Sequence, residues 1–292
     1  MSAFAISPRW KKVVIVGPGL IGASIGLALK RSGLVEQIVG VSRRNSTLEV
    51  AQASGAIDSG SCQLAATVRD ATAVIVCTPV RRIAEQVITI AEHLQTEDRA
   101  WITDAGSAKE MIVRRVSDAE AGLEHAIPFV GSHPLAGSEQ SGPRAARADL
   151  YDGRIVIVTP TAKTPPWLAD EVHLFWTSLG AKVHRLTPTA HDRVLAATSH
   201  LPHTLATALA AATLPDQLSL AATGWRDTTR IAAGDPDLWC DILLDNRTHI
   251  LNSLDIFEKK LSAIRDALER QDSQQLKRLL EEGKQRRDSL GS

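Results

Sequence analysis

The residues of this chain best suited to do chemistry begin at Gly17-Pro18-Gly19-Leu20-Ile21-Gly22, which fits GxGxxG. The motif follows an apolar, β-branched run and opens a stretch rich in Ala, Leu and Ile, the strand-to-helix setting in which it can hold a dinucleotide. Gly17 permits the tight turn, Gly19 lets the backbone approach a pyrophosphate, and Gly22 lets helix and strand pack closely. The start of the new helix, with Leu20 and Ile21, faces the phosphates. A glycine turn in another α/β fold is the alternative. Thr78-Pro79, at the end of a later apolar run, is assigned to the same nucleotide site. An NAD site usually carries Asp or Glu about twenty residues beyond the glycines, on the ribose 2′-hydroxyl. Here the corresponding segment is Val41-Ser42-Arg43-Arg44-Asn45, and the first acid is Glu49. Two guanidinium groups and the Ser42 hydroxyl suit a 2′-phosphate, so NADP is expected in preference to NAD. The alternative leaves Arg43 and Arg44 as solvated loop charges, with NAD use possible.

Further polar groups gather in four segments: Asp104-Ala105-Gly106-Ser107-Ala108-Lys109, Gly131-Ser132-His133-Pro134-Leu135-Ala136-Gly137, Ser199-His200-Leu201-Pro202-His203, and Trp225-Arg226-Asp227-Thr228-Thr229-Arg230-Ile231, with Asp235-Pro236 and Trp239 after the last. A neutral imidazole can accept a proton near neutral pH, which makes His133 a candidate base. A buried histidine fixing the loop before Pro134 is the plainer alternative. Ser107 and Glu110 have the spacing of a capping box at a helix start. A guanidinium can hold a carboxylate through two parallel hydrogen bonds, which suits Arg230. Arg226, four residues earlier, could share its helix face or pair with Asp227 or Asp235. Ser199 and His203 are four residues apart and share one helix face, with His200 on another. Trp239 reads as an apolar wall. His191, His200 and His203 suggest a zinc set, but no acid or thiolate completes it, so no metal is expected.

Taken together and in order, these motifs closely resemble the prephenate/arogenate dehydrogenase family, from about residue 11 to about residue 247. The resemblance implies a nicotinamide-dependent enzyme of tyrosine biosynthesis that removes hydride from a cyclohexadienol and releases CO2 to leave an aromatic ring. It implies His133 as acceptor of the hydroxyl proton and Ser107 as the group orienting that histidine and the nicotinamide. It further implies Arg230 on the ring carboxylate, with Ser199, His203 and Trp239 in the substrate pocket, His203 near the substrate side chain. His191-Asp192 also resembles a family pair, with no implied role. Residues 132–142 look more like the bacterial prephenate enzymes, so prephenate is expected over arogenate. A homodimer intertwined through the helical half follows from the same resemblance. Neither a regulatory module after the last helices nor a fused chorismate mutase domain is expected, which leaves feedback by tyrosine open. The reading from a different class is a non-catalytic NADP(H) sensor, which would bind NADP yet form no NADPH.

Positioning these groups requires a parallel sheet followed by helices. Residues 11–17, 37–41, 71–77, 100–103, 129–132, 151–160 and 180–186 read as strands, and 20–31 and 81–94 as helices between them. Strand–helix alternation of this kind argues for helices on both faces of the sheet. From about Thr189 nearly everything reads as helix, with Ile250, Leu254, Phe257, Leu261 and Ile264 forming one apolar stripe. The expected fold is therefore an α/β Rossmann-type dinucleotide-binding domain, residues 1–187, followed by an all-α dimerisation domain, residues 188–292.

Composition excludes several classes. Lys plus Arg and Asp plus Glu each number 33, which gives no support for a nucleic-acid or anionic-membrane partner. Cys62, Cys77 and Cys240 are scattered and form no CxxC pair. No apolar run has the length of a membrane span, and the first ten residues lack a secretory apolar core, so a cytoplasmic protein is expected.

Overall fold

The computed structural model describes residues 8–95, 99–123, 125–137 and 140–291. Ser138 and Glu139, part of the 132–142 stretch singled out above, lie outside the described residues. In the first half β1 (Trp10–Val16), α1 (Leu20–Ser32), β2 (Val35–Val41), α2 (Asn45–Ala53), β3 (Ser59–Ser61), α3 (Leu64–Thr67), β4 (Ala73–Val76), α4 (Val80–His93), β5 (Trp101–Asp104), α5 (Glu110–Glu120) and β6 (Phe129–Pro134) alternate. They continue into β7 (Ile155–Thr159), α6 (Pro166–Ser178) and β8 (Lys182–Arg185). The sheet order is β3-β2-β1-β4-β5-β6-β7-β8. Its pairings are parallel except that of β6 with β7. The β1, β2 and β4 runs end in four buried residues each, the pattern of strands covered on both faces.

Two apolar layers sandwich the sheet. One joins Trp10, Trp101, Phe175 and Trp176 to α1 and α6; the other joins Val14, Val74 and Ile102 to α4 and α5. Close approach of α1 to the sheet depends on Gly22, where a Cβ would lie 2.5 Å from the Gly17 carbonyl oxygen and 2.8 Å from Ile15.

The second half holds α7 (Pro188–Leu195), a π-helical segment (Ala196–His200), α8 (Leu201–Ala212), α9 (Thr223–Thr229), α10 (Pro236–Asp245), α11 (Arg247–Glu269) and α12 (Ser273–Asp288). Two short 3-10 turns, Pro215–Leu220 and Arg230–Ala233, link them. The apolar stripe lies on α11: Ile250 is buried, Leu254, Phe257 and Ile264 are half-buried, and Leu261 is exposed. Leu251, Ile256 and Leu268 on the same helix are also exposed. In α10, Ile242 packs into the sheet's second layer, with Trp239 against it, and so docks the helices on α4. Among the described residues no helix is long and apolar enough to cross a membrane.

Three expectations differ from this architecture. β7 runs antiparallel to β6, so the sheet is not parallel throughout. The π-helical segment interrupts the regular α-helical spacing assumed for Ser199, His200 and His203. Arg230 starts the 3-10 turn after α9, so Arg226 and Arg230 do not share one continuous α-helical face.

Candidate active site

Gly17, Gly19, Ser42, Arg43, Arg44, Thr78 and Pro79 line one cleft of about 440 Å³ at the ends of β1, β2 and β4. Gly17 has φ +86°, which favours glycine, and a Cβ there would lie 2.9 Å from the Cys77 carbonyl oxygen. Gly19 sits at the N-cap of α1 with open space where a Cβ would project. The helix start is thus bare backbone facing a cavity, a cradle that fits a dinucleotide phosphate. Leu20, Ile21 and Gly22 stand behind it; the Ile21 carbonyl accepts the Tyr151 hydroxyl at 2.7 Å. Arg43 and Arg44 are exposed and have no ion pair among the described residues. Sequence reading did not single out Thr47, Cys62, Leu64, Arg82, Glu85 and Gln86, which line the same cleft. For Arg82, Glu85 and Gln86 the cue is a three- and four-residue spacing on α4, which shows only once the helix is docked.

His133 stands near the end of β6, and Ser107 follows β5, its parallel neighbour in the sheet. Both therefore emerge at the edge where ligands of open α/β sheets bind. The His133 Nδ1 lies 2.9 Å from His191 Nε2, and His191 Nδ1 lies 2.7 Å from Asp192 Oδ1. A carboxylate only accepts, so His191 carries its proton on Nδ1 and offers a lone pair at Nε2. His133 must then donate from Nδ1, which leaves its own Nε2 as the free acceptor. Burial, and then repulsion between a protonated His133 and the cationic forms of His191, Lys109 and His200, push the His133 pKa well below its ordinary 6.5. Burial opposes the charge of Asp192, but hydrogen bonds from His191 and from the Glu110 and Lys109 amides outweigh it and lower its pKa. The relay thus holds a neutral, oriented imidazole.

Asp192 also corrects the expectation at Ser107. No Ser107–Glu110 capping box forms: α5 starts at Glu110, and its first amides, Lys109 N at 2.8 Å and Glu110 N at 2.9 Å, donate to the Asp192 carboxylate. Ser107 is half-exposed and makes no hydrogen bond to another described residue. Beneath the loop lies a fully buried ion pair of Lys109 and Asp104. The Lys109 ammonium also donates to the Ser132 carbonyl at 3.0 Å, and Asp104 accepts from the Ser132 amide at 3.0 Å and the Gly106 amide at 2.8 Å. The β5–β6 ladder ends at Val130. Beyond it, these side-chain bonds hold the 104–109 loop against the strand that carries His133.

From the helical half, His203 stacks on Trp239 with ring centroids 3.5 Å apart and planes 9° apart. Gly234 makes room for the pair, since a Cβ there would lie 2.5 Å from Trp239 Nε1. The buried His203 Nδ1 has no hydrogen-bond partner among the described residues. His200 is buried beside them, its Nδ1 2.9 Å from Asn246 Nδ2, and burial pushes its pKa down to about 4. Asn246 Nδ2 also donates to the Asp192 carbonyl at 2.8 Å. Ser199 is half-buried within the π-helical segment. Arg230 is exposed, on a turn that packs against α8, and has no ion pair among the described residues. Arg226 pairs with neither Asp227 nor Asp235: its Nε donates to the Ala221 carbonyl, and Asp235 caps α10 instead. Among the described residues no three His, Cys, Asp or Glu side chains are grouped to hold a metal ion. The structure therefore joins His133, His191 and Asp192, and separately His203 and Trp239; it shows no direct bond from Ser107, Ser199 or Arg230 to either group.

Two family models match the chain: the prephenate dehydrogenase nucleotide-binding domain over residues 25–185 and the prephenate dehydrogenase dimerization domain over residues 187–282. The prephenate dehydrogenase of Bacillus subtilis is 34% identical over 284 residues, which cover 95% of this chain and 76% of that protein. Among solved structures, prephenate dehydrogenase from Aquifex aeolicus in complex with hydroxyphenyl propionate and NAD+ superimposes with a TM-score of 0.86 at 32% identity, covering 96% of this chain and 98% of that one. Synechocystis arogenate dehydrogenase follows with a TM-score of 0.80 at 31% identity, covering 96% and 99%.

Proposed function

The chain belongs to the prephenate dehydrogenase family, and we propose that it converts prephenate to 4-hydroxyphenylpyruvate and CO2, with hydride transfer to NADP, in tyrosine biosynthesis. The observation that carries this reading is the His133–His191–Asp192 chain, which leaves one imidazole nitrogen unprotonated at the ligand-binding edge of the sheet. When bound in the glycine-lined cleft, the nicotinamide supplies the hydride acceptor. His133 Nε2 accepts the proton of the ring hydroxyl as hydride, the hydrogen with both C–H bonding electrons, leaves the same carbon. The ring carboxylate departs as CO2, its bonding electrons aromatise the ring, and the phenolate oxygen takes the proton back from His133. One reduced cofactor and one CO2 form per prephenate, with no net proton. Ser107 orients His133 and the nicotinamide. Arg230 holds the ring carboxylate, and Ser199, His203 and Trp239 line the substrate pocket. The unpartnered His203 Nδ1 gives the substrate side chain a buried polar contact.

Product analysis tests the reaction: 4-hydroxyphenylpyruvate, CO2 and reduced cofactor are expected in equal amounts. NADP binding without product would favour the sensor. A second substrate, arogenate, is supported by the likeness to the Synechocystis enzyme. It would give tyrosine directly in the same assay.

For the cofactor, the absence of an acid from the 41–48 segment and the exposed, unpaired Arg43 and Arg44 support NADP over NAD. Arg43→Ala is expected to lower the ratio of kcat/KM for NADP to that for NAD. A wild-type enzyme that uses NAD at least as well would overturn the assignment.

Arg230→Ala is expected to raise the KM for prephenate with little change in cofactor affinity. A charge-assisted carboxylate contact is worth about 1.5–3 kcal/mol, so KM should rise by roughly one to two decades. An unchanged KM in a folded variant removes Arg230 from the carboxylate site.

We divide the chain into a nucleotide-binding part to residue 187 and a helical part from residue 188, and place it in the cytoplasm as a homodimer. The exposed Leu251, Ile256, Leu261 and Leu268 on α11 supply apolar surface for the dimer contact. Light scattering at micromolar protein should report twice the mass of the 31.4 kDa chain. A monomer would rule the dimer out.

A further inference from the structure

Arg82 is a half-buried guanidinium with no ion pair among the described residues. Its neighbour Arg81 bonds Asp241 at 2.8 Å, so the two arginines at the start of α4 are used differently. Arg82 lines the nucleotide cleft together with Glu85, Gln86 and Thr89. This spacing of three, four and seven residues puts one face of α4 along the cavity. The cleft runs from the glycine turn, past Ser42, Arg43 and Arg44 at the end of β2, to Thr47, Cys62, Leu64 and this face of α4.

Geometry orders what can lie along it. A pyrophosphate at the start of α1 puts the adenosine ribose at the end of β2. The adenine must then extend into the part of the cleft that remains. Several of the groups there are small or already bonded: the Cys62 thiol donates to Asn45 Oδ1 at 3.0 Å, and the Thr78 hydroxyl donates to Gln86 Oε1. Leu64 and Arg82 supply an apolar surface and a planar one, and α3 and α4, which carry them, pack side by side. A guanidinium plane stacks on aromatic faces, whereas an ammonium does not match that shape.

We propose that Arg82 is the adenine-binding residue of the cofactor site, its guanidinium lying against the base while Arg43 and Arg44 face the 2′-position. The role is shared by NAD and NADP, because both carry adenine. It rests on the assignment of this cleft to the cofactor but not on the choice of NADP.

The test is the affinity of wild type, Arg82→Ala and Arg82→Lys for NAD, NADP and adenosine 2′,5′-bisphosphate, with inhibition by nicotinamide mononucleotide as the adenine-free reference. Arg82→Ala should weaken all three adenine ligands by a common factor of about three- to tenfold, leaving the NADP-to-NAD ratio and the mononucleotide unchanged. Arg82→Lys should rescue little, since it keeps the charge and loses the plane. Weakening confined to NADP and the bisphosphate would make Arg82 a phosphate ligand and overturn the proposal. So would full rescue by lysine, an equal loss for the mononucleotide, or no change. Failure of the wild type to bind either NAD or NADP would instead remove the cleft assignment, and the proposal with it.

Discussion

His133→Asn should retain cofactor and substrate binding and lose about 10²–10⁴-fold in kcat, the range that general-base assistance typically supplies. Asparagine can still hydrogen-bond the ring hydroxyl, but its amide does not accept the proton at neutral pH. His133 is half-buried at the end of β6, and the neighbouring backbone is held independently by Asp104 and Lys109. The substitution therefore removes the proton acceptor without removing what positions the strand. The pH dependence of the wild type gives a second reading. Burial, with His191, Lys109 and His200 behind it, lowers the His133 pKa well below 6.5. Activity needs the neutral form, so kcat/KM should stay level as pH falls through 6.5 and decline only at lower pH. A folded His133→Asn enzyme with kcat within about threefold of wild type would remove the general-base role. His203 would then be the imidazole to test.

Asp192→Asn is expected to cost about 10²–10⁴-fold in kcat, although Asp192 touches no reacting atom. Its carboxylate accepts from His191 Nδ1, from Lys109 N and from Glu110 N. An amide offers one oxygen for these three donors and turns its own N–H groups toward at least one of them. If that N–H faces His191, the ring must take its proton at Nε2. His133 then receives a donor where it had an acceptor, and its Nε2 becomes the protonated nitrogen. The same change behind the histidine of a serine protease triad leaves the geometry intact and lowers kcat by about 10⁴. Part of the cost falls on stability, because the Lys109 and Glu110 amides at the start of α5 share a weaker cap, at about 1–3 kcal/mol for a buried donor left unsatisfied. A tautomer effect predicts loss of kcat with substrate KM nearly unchanged. Loss of thermal stability alone, with kcat preserved, would reduce Asp192 to a helix cap.

The glycine turn, the strands before and after it and the change to helices after residue 187 were legible in the sequence because each depends on local periodicity and glycine chemistry. Ser42 to Arg44 lie directly on from β2, and the structure brings them into one cleft with Gly17 and Gly19. What escaped depends on residues distant in sequence. His133 and His191 are 58 residues apart, and neither position shows that the other will orient it. Ser107 and Glu110 have the spacing of a cap, but Asp192, 82 residues beyond Glu110, reaches the helix start first. The burial of the Lys109–Asp104 pair depends on Gly131 and Ser132, more than twenty residues further on, which close over it. Helices α2 and α6 have mixed local patterns and owe their burial to the sheet. The Pro188–Ala212 region read as regular helix, since sequence does not mark where a π-helical turn shifts the spacing. Arg226 and Arg230 looked like one helical pair for the same reason: nothing local announces that α9 gives way to a 3-10 turn at Arg230.

The most direct test of the reaction is cofactor reduction followed at 340 nm with prephenate and arogenate, each against NADP and NAD. Prephenate with NADP should give the highest kcat/KM, and the reduced cofactor formed should match the 4-hydroxyphenylpyruvate recovered. Reduction with arogenate alone, or no reduction with either substrate by folded, NADP-binding protein, would contradict the account.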